Sequence, residues 1–363
     1  MLLSLSSTLH DLARKKFGVT VNNVPQKRQS PMIVAEISGN HNGSLDRALD
    51  IVRAAADAGA HAIKIQTYTA DTITLDVDSP AFRISAGHEL WGSRTLYELY
   101  QEAHTPWEWH DPIFALATEL GMLAFSTPFD ETAVDFLEGL HVPLYKIASL
   151  EIIDLPLIKR VAATGKPMII SVGTGSIAEV AAAVDAARAG GCTDLTLLAC
   201  TSSYPALPDD ANLLRMPVMA DLFGVKVGLS DHTVGIGVSV AAAALGATVI
   251  EKHVTLRRVD GGVDSAFSLE PEELRMLVDS CDAAVRALGS ASSWATTAEN
   301  ESLRLRPSLY VSRSVKAGDI ATSENVRSVR PAGGLPPAEI DNVFGRVFSV
   351  DASVGTPVGW DLF

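Results

Sequence analysis

Residues 226–253 read KVGLSDHTVGIGVSVAAAALGATVIEKH, and this stretch contains one full repeat of the pattern that decides the fold. A short apolar run ends at His232, an alanine-rich segment of helical composition follows over 235–247, and a second apolar run ends at His253. Short apolar runs bounded by turn residues are typical of strands that are buried on both faces. The stretch therefore predicts a strand–helix–strand unit with two parallel strands.

The same pattern occurs eight times between residues 32 and 253. The apolar runs are MIVAEIS (32–38), HAIKIQT (61–67), LAFSTP (123–128), LYKIAS (144–149), PMIISVG (167–173), LTLLACT (195–201), KVGLSDH (226–232) and ATVIEKH (247–253). Amphipathic segments such as 45–60 separate them. Eight alternations predict a closed (β/α)8 TIM barrel. An open doubly wound sheet is the alternative, but no glycine-rich dinucleotide motif follows the first run.

Polar side chains lie at or near the end of nearly every predicted strand, and in a TIM barrel these ends build the active site. They are Glu36, Lys64, Gln66, Ser126, Thr127, Lys146, Ser149, Ser171, Thr201, Ser230, Asp231, His232 and His253. Strand alternation groups several of them on common faces: Lys64 with Gln66, Ser230 with His232, and Glu251 with His253. The pattern predicts a polar site in the barrel mouth.

Two histidines end the seventh and eighth strands, which are neighbours. His232 and His253 are therefore able to ligate one divalent metal, with the other positions left to water or substrate. Each histidine alone is also consistent with a hydrogen-bonded structural role. Since no sequence-adjacent carboxylate completes a metal triad, the predicted site is open.

Lys64 and Lys146 end the second and fourth strands. Because buried ammonium groups are costly without partners, the two lysines indicate a phosphate cradle with the neighbouring hydroxyls of Ser126, Thr127, Ser149, Ser171 and Ser230. A salt bridge to an acid such as Glu36 is one alternative, and the Schiff-base chemistry of an aldolase is another. Glu36 is a candidate general base or water-orienting group. Asp264 is a candidate ligand for a sugar hydroxyl or a helix cap.

Composition and segment character divide the chain and exclude some functions. The predicted parts are a leader (1–30), the barrel (31–289) with a lid-like insert (71–106), a linker (290–304) and a small β-rich domain (305–363). The formal net charge of −14 disfavours a nucleic-acid partner. No apolar run has the length of a membrane span. The three cysteines lack metal or disulfide spacing, which favours reduced thiols in the cytoplasm.

The order of motifs along the chain resembles that of the sialic-acid synthase family. The motifs are AEISGNHNGS, AIKIQTY, FSTPFD, YKIAS, CTSSYPA, GLSDHT, EKH and RPAGGL, within residues 30–363. The segments HELWGSRTLYELYQEAHTPWEWH and GGVDSAFSLEPEE are most similar to the pseudaminic acid synthase branch. The C-terminal part resembles the antifreeze-like (SAF) domain of the family.

The resemblance implies an enzyme that condenses phosphoenolpyruvate with an amino-sugar aldehyde, cleaving the C–O bond of phosphoenolpyruvate to give a nonulosonic acid and phosphate. For the pseudaminate branch the acceptor is 2,4-diacetamido-2,4,6-trideoxy-L-altrose. The resemblance assigns a divalent metal, Mn²⁺ or Mg²⁺, to His232 and His253. It implies that Glu36 orients the attacking water or stabilises the charge that develops during the reaction.

The family match also divides the remaining site residues by ligand. Those assigned to phosphoenolpyruvate are Lys64, Thr127, Lys146, Ser149, Ser171, Ser202 and Ser230. Those assigned to the sugar are Gln66, Glu151, Tyr204, Asp264 and Arg330. Arg330 is expected to reach from the small domain into the active site of the other subunit of a domain-swapped homodimer.

Several positions depart from the family pattern and affect the phosphate loop and the domain junction. Ser202 stands where the family often has asparagine, SVGT (171–174) replaces STGM, RPA (330–332) replaces RPG, and RPS (306–308) replaces RRS. An N-acetylneuraminate or legionaminate synthase is the nearest alternative function. A Schiff-base aldolase and a non-catalytic carbohydrate-binding protein are more remote alternatives.

Overall fold

The chain contains an eight-stranded barrel and a small second unit. The computed structural model describes residues 29–84, 92, 94–289 and 296–363, and the described residues divide into the units 29–289 and 296–363. The barrel strands are β1 (Met32–Glu36), β2 (Ala62–Thr67), β3 (Leu123–Pro128), β4 (Tyr145–Ile147), β5 (Met168–Ser171), β6 (Leu195–Cys200), β7 (Lys226–Asp231) and β8 (Val249–His253).

All eight strands are parallel and follow one another in chain order around a closed barrel. The first and last strands pair along their whole length, and Glu36 lies opposite His253 at the C-terminal end of that pair. The predicted TIM barrel is therefore confirmed. An open sheet is excluded because β1 and β8 would then be edge strands.

Helices follow the strands and cover the outside of the barrel. They are α1 (Leu45–Asp57), α2 (Ala70–Ile73), α3 (Leu96–Ala103), α4 (His110–Glu119), α5 (Glu131–Gly139), α6 (Leu155–Ala162), α7 (Ile177–Ala189), α8 (Arg215–Phe223), α9 (Gly237–Ala244) and α10 (Pro271–Ala287). Local caps define several starts: the Ser44 side chain accepts from the amide of Arg47 at α1, and Ser176 with Glu179 forms a capping box at α7.

The lid-like insert predicted after β2 contains helical segments. Its described residues include the helices α2 and α3, and a capping box of Thr95 and Glu98 begins α3. Propensity and this cap favour a helix there, so the lid-like insert contains regular secondary structure. Residues 85–91 and 93 lie outside the described residues.

The barrel interior is apolar at its N-terminal end and polar above. The apolar layer consists of Val34, Ala62, Phe125, Leu144, Ile169, Leu198 and Val249. The next inward residues along four of these strands are Glu36, Lys64, Lys146 and Glu251, and all four are buried. The apolar layer closes the barrel from below, so the charged residues face the C-terminal mouth.

Gly228 of β7 takes part in this apolar layer through its lack of a side chain. A Cβ at this position would overlap the carbonyl oxygen of Val249 and approach a methyl group of Leu198. The backbones of β7 and β8 therefore pack at a distance that only glycine permits.

A second layer joins the strands to the helices, and it contains one fully buried ion pair. Ile33, Ile63 and Ile65 belong to the large cluster between sheet and helices. The Lys252 ammonium lies 3.0 Å from the Asp231 carboxylate and donates to the Thr233 carbonyl.

The second unit is a small β-rich fold with its own core. Strands β9 (Ser308–Val311) and β10 (Val326–Val329) pair antiparallel, and the short helices α11 (Asn300–Leu303) and α12 (Ile340–Val343) accompany them. Its core includes Leu309, Val326, Val343, Phe348 and Val358. The small β-rich domain expected from composition is present.

The N-terminal leader predicted for residues 1–30 falls almost wholly outside the described residues, which begin at residue 29. Within the described part of the chain, every helix is too short or too polar to cross a membrane.

We predict that Gly228→Ala lowers the free energy of unfolding by at least about 2 kcal/mol, because the added Cβ meets backbone on the neighbouring strand. Gly237→Ala is the matched control, since no atom lies within 4 Å of a Cβ built at this helical position. It should change stability by less than about 1 kcal/mol. Urea denaturation measures both, and equal stability of the two variants would contradict the packing described for β7 and β8.

Candidate active site

Most of the predicted site residues meet in one cavity at the C-terminal mouth of the barrel. Its lining consists of Lys64, Gln66, Thr127, Lys146, Ala148, Ser149, Ser171, Cys200, Tyr204, Ser230, His232, Glu251 and His253. Ten of the fifteen residues that the family match assigned are in this lining.

Two buried lysines form the cationic part of the cavity. The Lys64 ammonium lies 2.6 Å from a carboxylate oxygen of Glu36 and donates to the Thr127 hydroxyl at 3.2 Å. The Lys146 ammonium donates to the Ser171 hydroxyl at 2.7 Å. The alternative salt bridge to Glu36 is therefore present, and both lysines have hydroxyl neighbours, while the phosphate cradle stays a prediction.

The surroundings shift the pKa values of these groups in different directions. Burial lowers the pKa of Lys64, but the carboxylates of Glu251 and Glu36 outweigh burial, so this pKa lies above its ordinary value. Burial is the stronger influence on Lys146 and lowers its pKa. Burial also disfavours the charged form of Glu36, and it raises the pKa of this carboxyl despite the nearby Lys64. Both ammonium groups thus depend on neighbouring carboxylates to carry charge.

The loops after β4, β5 and β6 place hydroxyls beside the lysines. Ser202 donates to the Ser149 hydroxyl at 2.9 Å, and the backbone amide of Thr174 donates to the same oxygen at 3.2 Å. Gly173 permits this approach, because a Cβ there would lie 2.6 Å from the Ser202 hydroxyl and 2.7 Å from the Ser149 hydroxyl. Ser202 is therefore not part of the cavity lining, and it fixes the hydroxyl of Ser149, which is.

His232 and His253 lie beside each other with ring centroids 5.3 Å apart. The Phe267 ring packs edge-on against both, and the Tyr204 ring lies 4.4 Å from His232. The Nδ1 of His232 donates to the carbonyl of Thr201 at 2.9 Å, so in the neutral ring Nε2 carries the lone pair. The aromatic contacts and this hydrogen bond hold the two rings in place.

The two imidazoles fit a divalent cation with an open coordination sphere. Burial keeps the pKa of His253 well below its ordinary value, so the ring is neutral, and its buried Nδ1 has no hydrogen-bond partner among the described residues. The Asp264 carboxylate is 3.8 Å from that nitrogen. Across the described residues, no three His, Cys, Asp or Glu side chains converge as a metal cluster. Water and substrate would have to supply the other ligands.

Polar groups on the other side of the cavity surround Gln66. Its amide nitrogen donates to Glu36 at 3.1 Å and lies 3.4 Å from the Ser38 hydroxyl, which in turn donates to Asp264. Burial raises the pKa of Asp264. The Asp264 side chain makes no capping hydrogen bond, whereas Glu270 forms a capping box with Glu273 at the start of α10.

Glu151 lies in the 3-10 turn Leu150–Ile153 that follows β4. Burial raises the pKa of its carboxyl from 4.5 to about 7, and one of its oxygens is buried without a hydrogen-bond partner among the described residues. A buried polar atom in this state costs free energy unless a ligand or water pairs with it. Glu151 is therefore suited to bind a polar ligand group.

Three residues named at the strand ends do not face the cavity. Ser126 donates to the carbonyl of Ile65, Asp231 pairs with Lys252, and the Thr201 hydroxyl donates to the Asp210 carbonyl. Ser126 and Asp231 are each adjacent to an inward-facing residue, so strand alternation turns their side chains toward the helices. The prediction that Ser126 belongs to the phosphate-binding hydroxyls was therefore wrong. The prediction that Thr201 and Asp231 belong to the polar site was wrong as well.

Arg330 belongs to the second unit, where its side chain is exposed. It is not among the cavity-lining residues of the barrel. The predicted contact with the active site of another subunit stays a prediction.

Sequence reasoning gave no role to two residues of the cavity lining or to a buried tyrosine that feels the charge of Asp264. Glu251 and Cys200 line the cavity, and strand alternation from His253 and Leu198 is the signal that locates them. Tyr68 is buried, and its ring packs edge-on against Tyr100 at 5.7 Å. Burial and the Asp264 carboxylate raise the pKa of Tyr68. Only the tertiary structure reveals this tyrosine, because the insert after β2 brings Tyr100 to it.

The chain is similar to several curated synthases over most of its length. It is 40% identical to the pseudaminic acid synthase of Helicobacter pylori over 334 residues, which covers 92% of this chain and 98% of that protein. It is 42% identical to the pseudaminic acid synthase of Campylobacter jejuni (strain 81-176), covering 89% and 94% of the two chains. The N,N'-diacetyllegionaminic acid synthase of Legionella pneumophila is 38% identical, covering 91% and 93%.

Solved structures and family models agree with this similarity. The crystal structure of N-acetylneuraminic acid synthetase from Leptospira borgpetersenii matches with a TM-score of 0.67 and 31% identity, covering 76% of this chain and 90% of that one. The SAF domain model matches residues 306–363, and the NeuB family model matches residues 51–293. The chain belongs to the NeuB family.

Proposed function

We propose that the protein is a pseudaminic acid synthase, which condenses phosphoenolpyruvate with 2,4-diacetamido-2,4,6-trideoxy-L-altrose. The observation that carries this proposal is one cavity holding two buried lysines, several hydroxyls and a pair of imidazoles. Three curated pseudaminic acid synthases at 40–42% identity support the choice of sugar.

The lysine side of the cavity is the proposed site for phosphoenolpyruvate. Lys64 and Lys146 offer charge, and Thr127, Ser149, Ser171 and Ser230 offer hydroxyl donors around them. Donors that are oriented before the ligand arrives stabilise the anion without further reorganisation. Ser202 acts on phosphoenolpyruvate through Ser149, to which it is hydrogen-bonded.

The proposed reaction forms one C–C bond and breaks one C–O bond. C3 of phosphoenolpyruvate attacks the sugar aldehyde, whose oxygen takes a proton and becomes a hydroxyl. Water adds at C2. The bond between C2 and the oxygen that carries phosphorus then breaks, which gives a keto acid and phosphate. Glu36 is the proposed acceptor of a proton from that water, a role supported by its buried carboxylate beside Lys64 and Gln66.

His232 and His253 are the proposed holders of a divalent metal, Mn²⁺ or Mg²⁺. When bound there, the metal supplies Lewis-acid polarisation of the sugar aldehyde. The protein keeps both rings fixed through the Thr201 carbonyl and the Phe267 ring, and it keeps His253 neutral by burial.

The sugar is proposed to contact Gln66, Glu151, Tyr204 and Asp264, with Arg330 supplied by the second subunit of a domain-swapped homodimer. Residues 31–289 form the proposed catalytic domain and 305–363 the SAF domain. The three cysteines are free and buried, which is consistent with action in the cytoplasm.

We predict that 2,4-diacetamido-2,4,6-trideoxy-L-altrose has a kcat/KM at least about tenfold higher than N-acetylmannosamine or the legionaminate precursor, because site contacts to the sugar substituents differ between them. Phosphate release with each sugar at saturating phosphoenolpyruvate measures this preference. A higher kcat/KM for N-acetylmannosamine would contradict the pseudaminate assignment but leave the reaction class intact.

We predict that removal of divalent metal by EDTA lowers activity by more than about a hundredfold, since Lewis-acid assistance is worth several kcal/mol. Mn²⁺ or Mg²⁺ should restore it, and His253→Ala should not recover at the same metal concentration. Treatment with borohydride in the presence of substrate is the control. Inactivation by borohydride together with full activity in EDTA would identify a Schiff-base aldolase instead.

We predict that Glu151→Gln stabilises the free protein at about pH 8 by up to about 3 kcal/mol, a gain that disappears as the pH falls toward 4.5. A carboxyl whose pKa is raised in the folded state stabilises the fold at low pH, and that contribution is lost as the pH rises through about 7. Urea denaturation at several pH values measures the effect. The exposed Glu119→Gln is the control, and parallel pH curves for the two variants would contradict the burial of Glu151.

A further inference from the structure

The Glu251 carboxylate lies between the two lysines of the cavity. Its oxygens are 3.6 Å from the Lys64 ammonium and 3.8 Å from the Lys146 ammonium. Only 5% of Glu251 is exposed. It is the one carboxylate among the residues that line the cavity.

Glu251 acts on the lysines through charge, since both distances exceed that of a hydrogen bond. The ammonium groups donate elsewhere, to Thr127 and Ser171, and the oxygen of Glu251 nearer to Lys146 has no hydrogen-bond partner among the described residues. Its other oxygen accepts from Ser230 at 3.4 Å. The carboxylate is thus a loosely held counter-ion.

The buried pair of Lys252 and Asp231 shows what a purely structural ion pair looks like in this barrel. Its charged atoms are 3.0 Å apart, and Asp231 also accepts from Thr233 and Ser239. That pair satisfies its own groups and faces the helices. Glu251 instead leaves one oxygen unsatisfied and faces the cavity.

A carboxylate in an anion-binding cavity opposes the binding of an anion. With Glu36 and Glu251 ionised, the charges of Lys64 and Lys146 are balanced before any ligand enters. Burying two ammonium groups without such partners would be costly in the free protein. The same negative charge weakens the hold on phosphate, which a catalyst must release after each turnover.

We propose that Glu251 is a positioning residue that, as the shared counter-ion of Lys64 and Lys146, offsets their repulsion in the free enzyme and limits how tightly the cavity binds phosphate. This inference rests on the proposed function, in which the lysines bind phosphoenolpyruvate. It predicts that removal of a buried acid makes anion binding stronger and turnover slower.

Isothermal titration calorimetry with inorganic phosphate and with phosphoenolpyruvate tests the inference on the full chain. Glu251→Gln keeps the shape and removes the charge, and Glu251→Asp keeps the charge but withdraws it by one methylene. Glu138→Gln is the matched control, since Glu138 forms an ion pair with Lys166 outside the cavity. Circular dichroism and thermal denaturation establish that each variant is folded.

The expected result for Glu251→Gln at mildly acidic pH, where Lys64 and Lys146 keep their protons, is a phosphate Kd at least about tenfold lower than that of the unsubstituted protein, because one like charge is removed at close range in a buried site. Glu251→Asp should be intermediate. In steady-state assays KM for phosphoenolpyruvate and kcat should fall together in Glu251→Gln, while KM for the sugar and the behaviour of Glu138→Gln stay unchanged.

Unchanged or weaker phosphate binding in Glu251→Gln would overturn the inference, and it would leave Glu251 as an ordinary structural acid. If Glu251→Gln does not fold, Glu251→Asp decides between the same outcomes. Failure of the unsubstituted protein to bind either phosphate or phosphoenolpyruvate would overturn the proposed lysine cradle itself, which distinguishes the two failures.

Discussion

The burial of two ammonium groups inside the barrel is the constraint on which the rest of the site depends. Lys64 is 3% and Lys146 is 2% exposed, so neither can rely on water for solvation. The barrel meets this cost with carboxylates on neighbouring strands and with hydroxyls at strand ends. These partners are also the groups that an anionic substrate would contact, and the site is therefore organised before a ligand arrives.

Two layers of the barrel interior make this arrangement possible. The lower layer is apolar and tightly packed, to the point that Gly228 cannot carry a Cβ. The upper layer holds the charges and lies next to the cavity. Because the lower layer excludes water from below, electrostatic interactions in the upper layer are stronger than on the protein surface. The same low polarity keeps His253 neutral and raises the pKa of Glu151.

Much of the fold and of the site follows from local sequence patterns. Eight apolar runs with intervening amphipathic segments predict the barrel, since burial on both faces leaves a continuous apolar signature. Strand alternation from Lys64, Ser230 and His253 predicts the side chains that share the cavity. The same rule, applied strictly, excludes Ser126 and Asp231, because each is adjacent to an inward-facing residue.

The sequence by itself determined which polar residues end which strand, the family, and the kinds of chemical group at the barrel mouth. These features depend on the spacing of residues along the chain. The tertiary structure decided which groups touch: Glu36 on Lys64, Ser202 on Ser149, and Glu251 between two lysines. Such contacts join strands that lie up to about two hundred residues apart, as Lys64 and Glu251 do. Only closure of the barrel sets their distances, and with them the pKa shifts and the charge balance of the site.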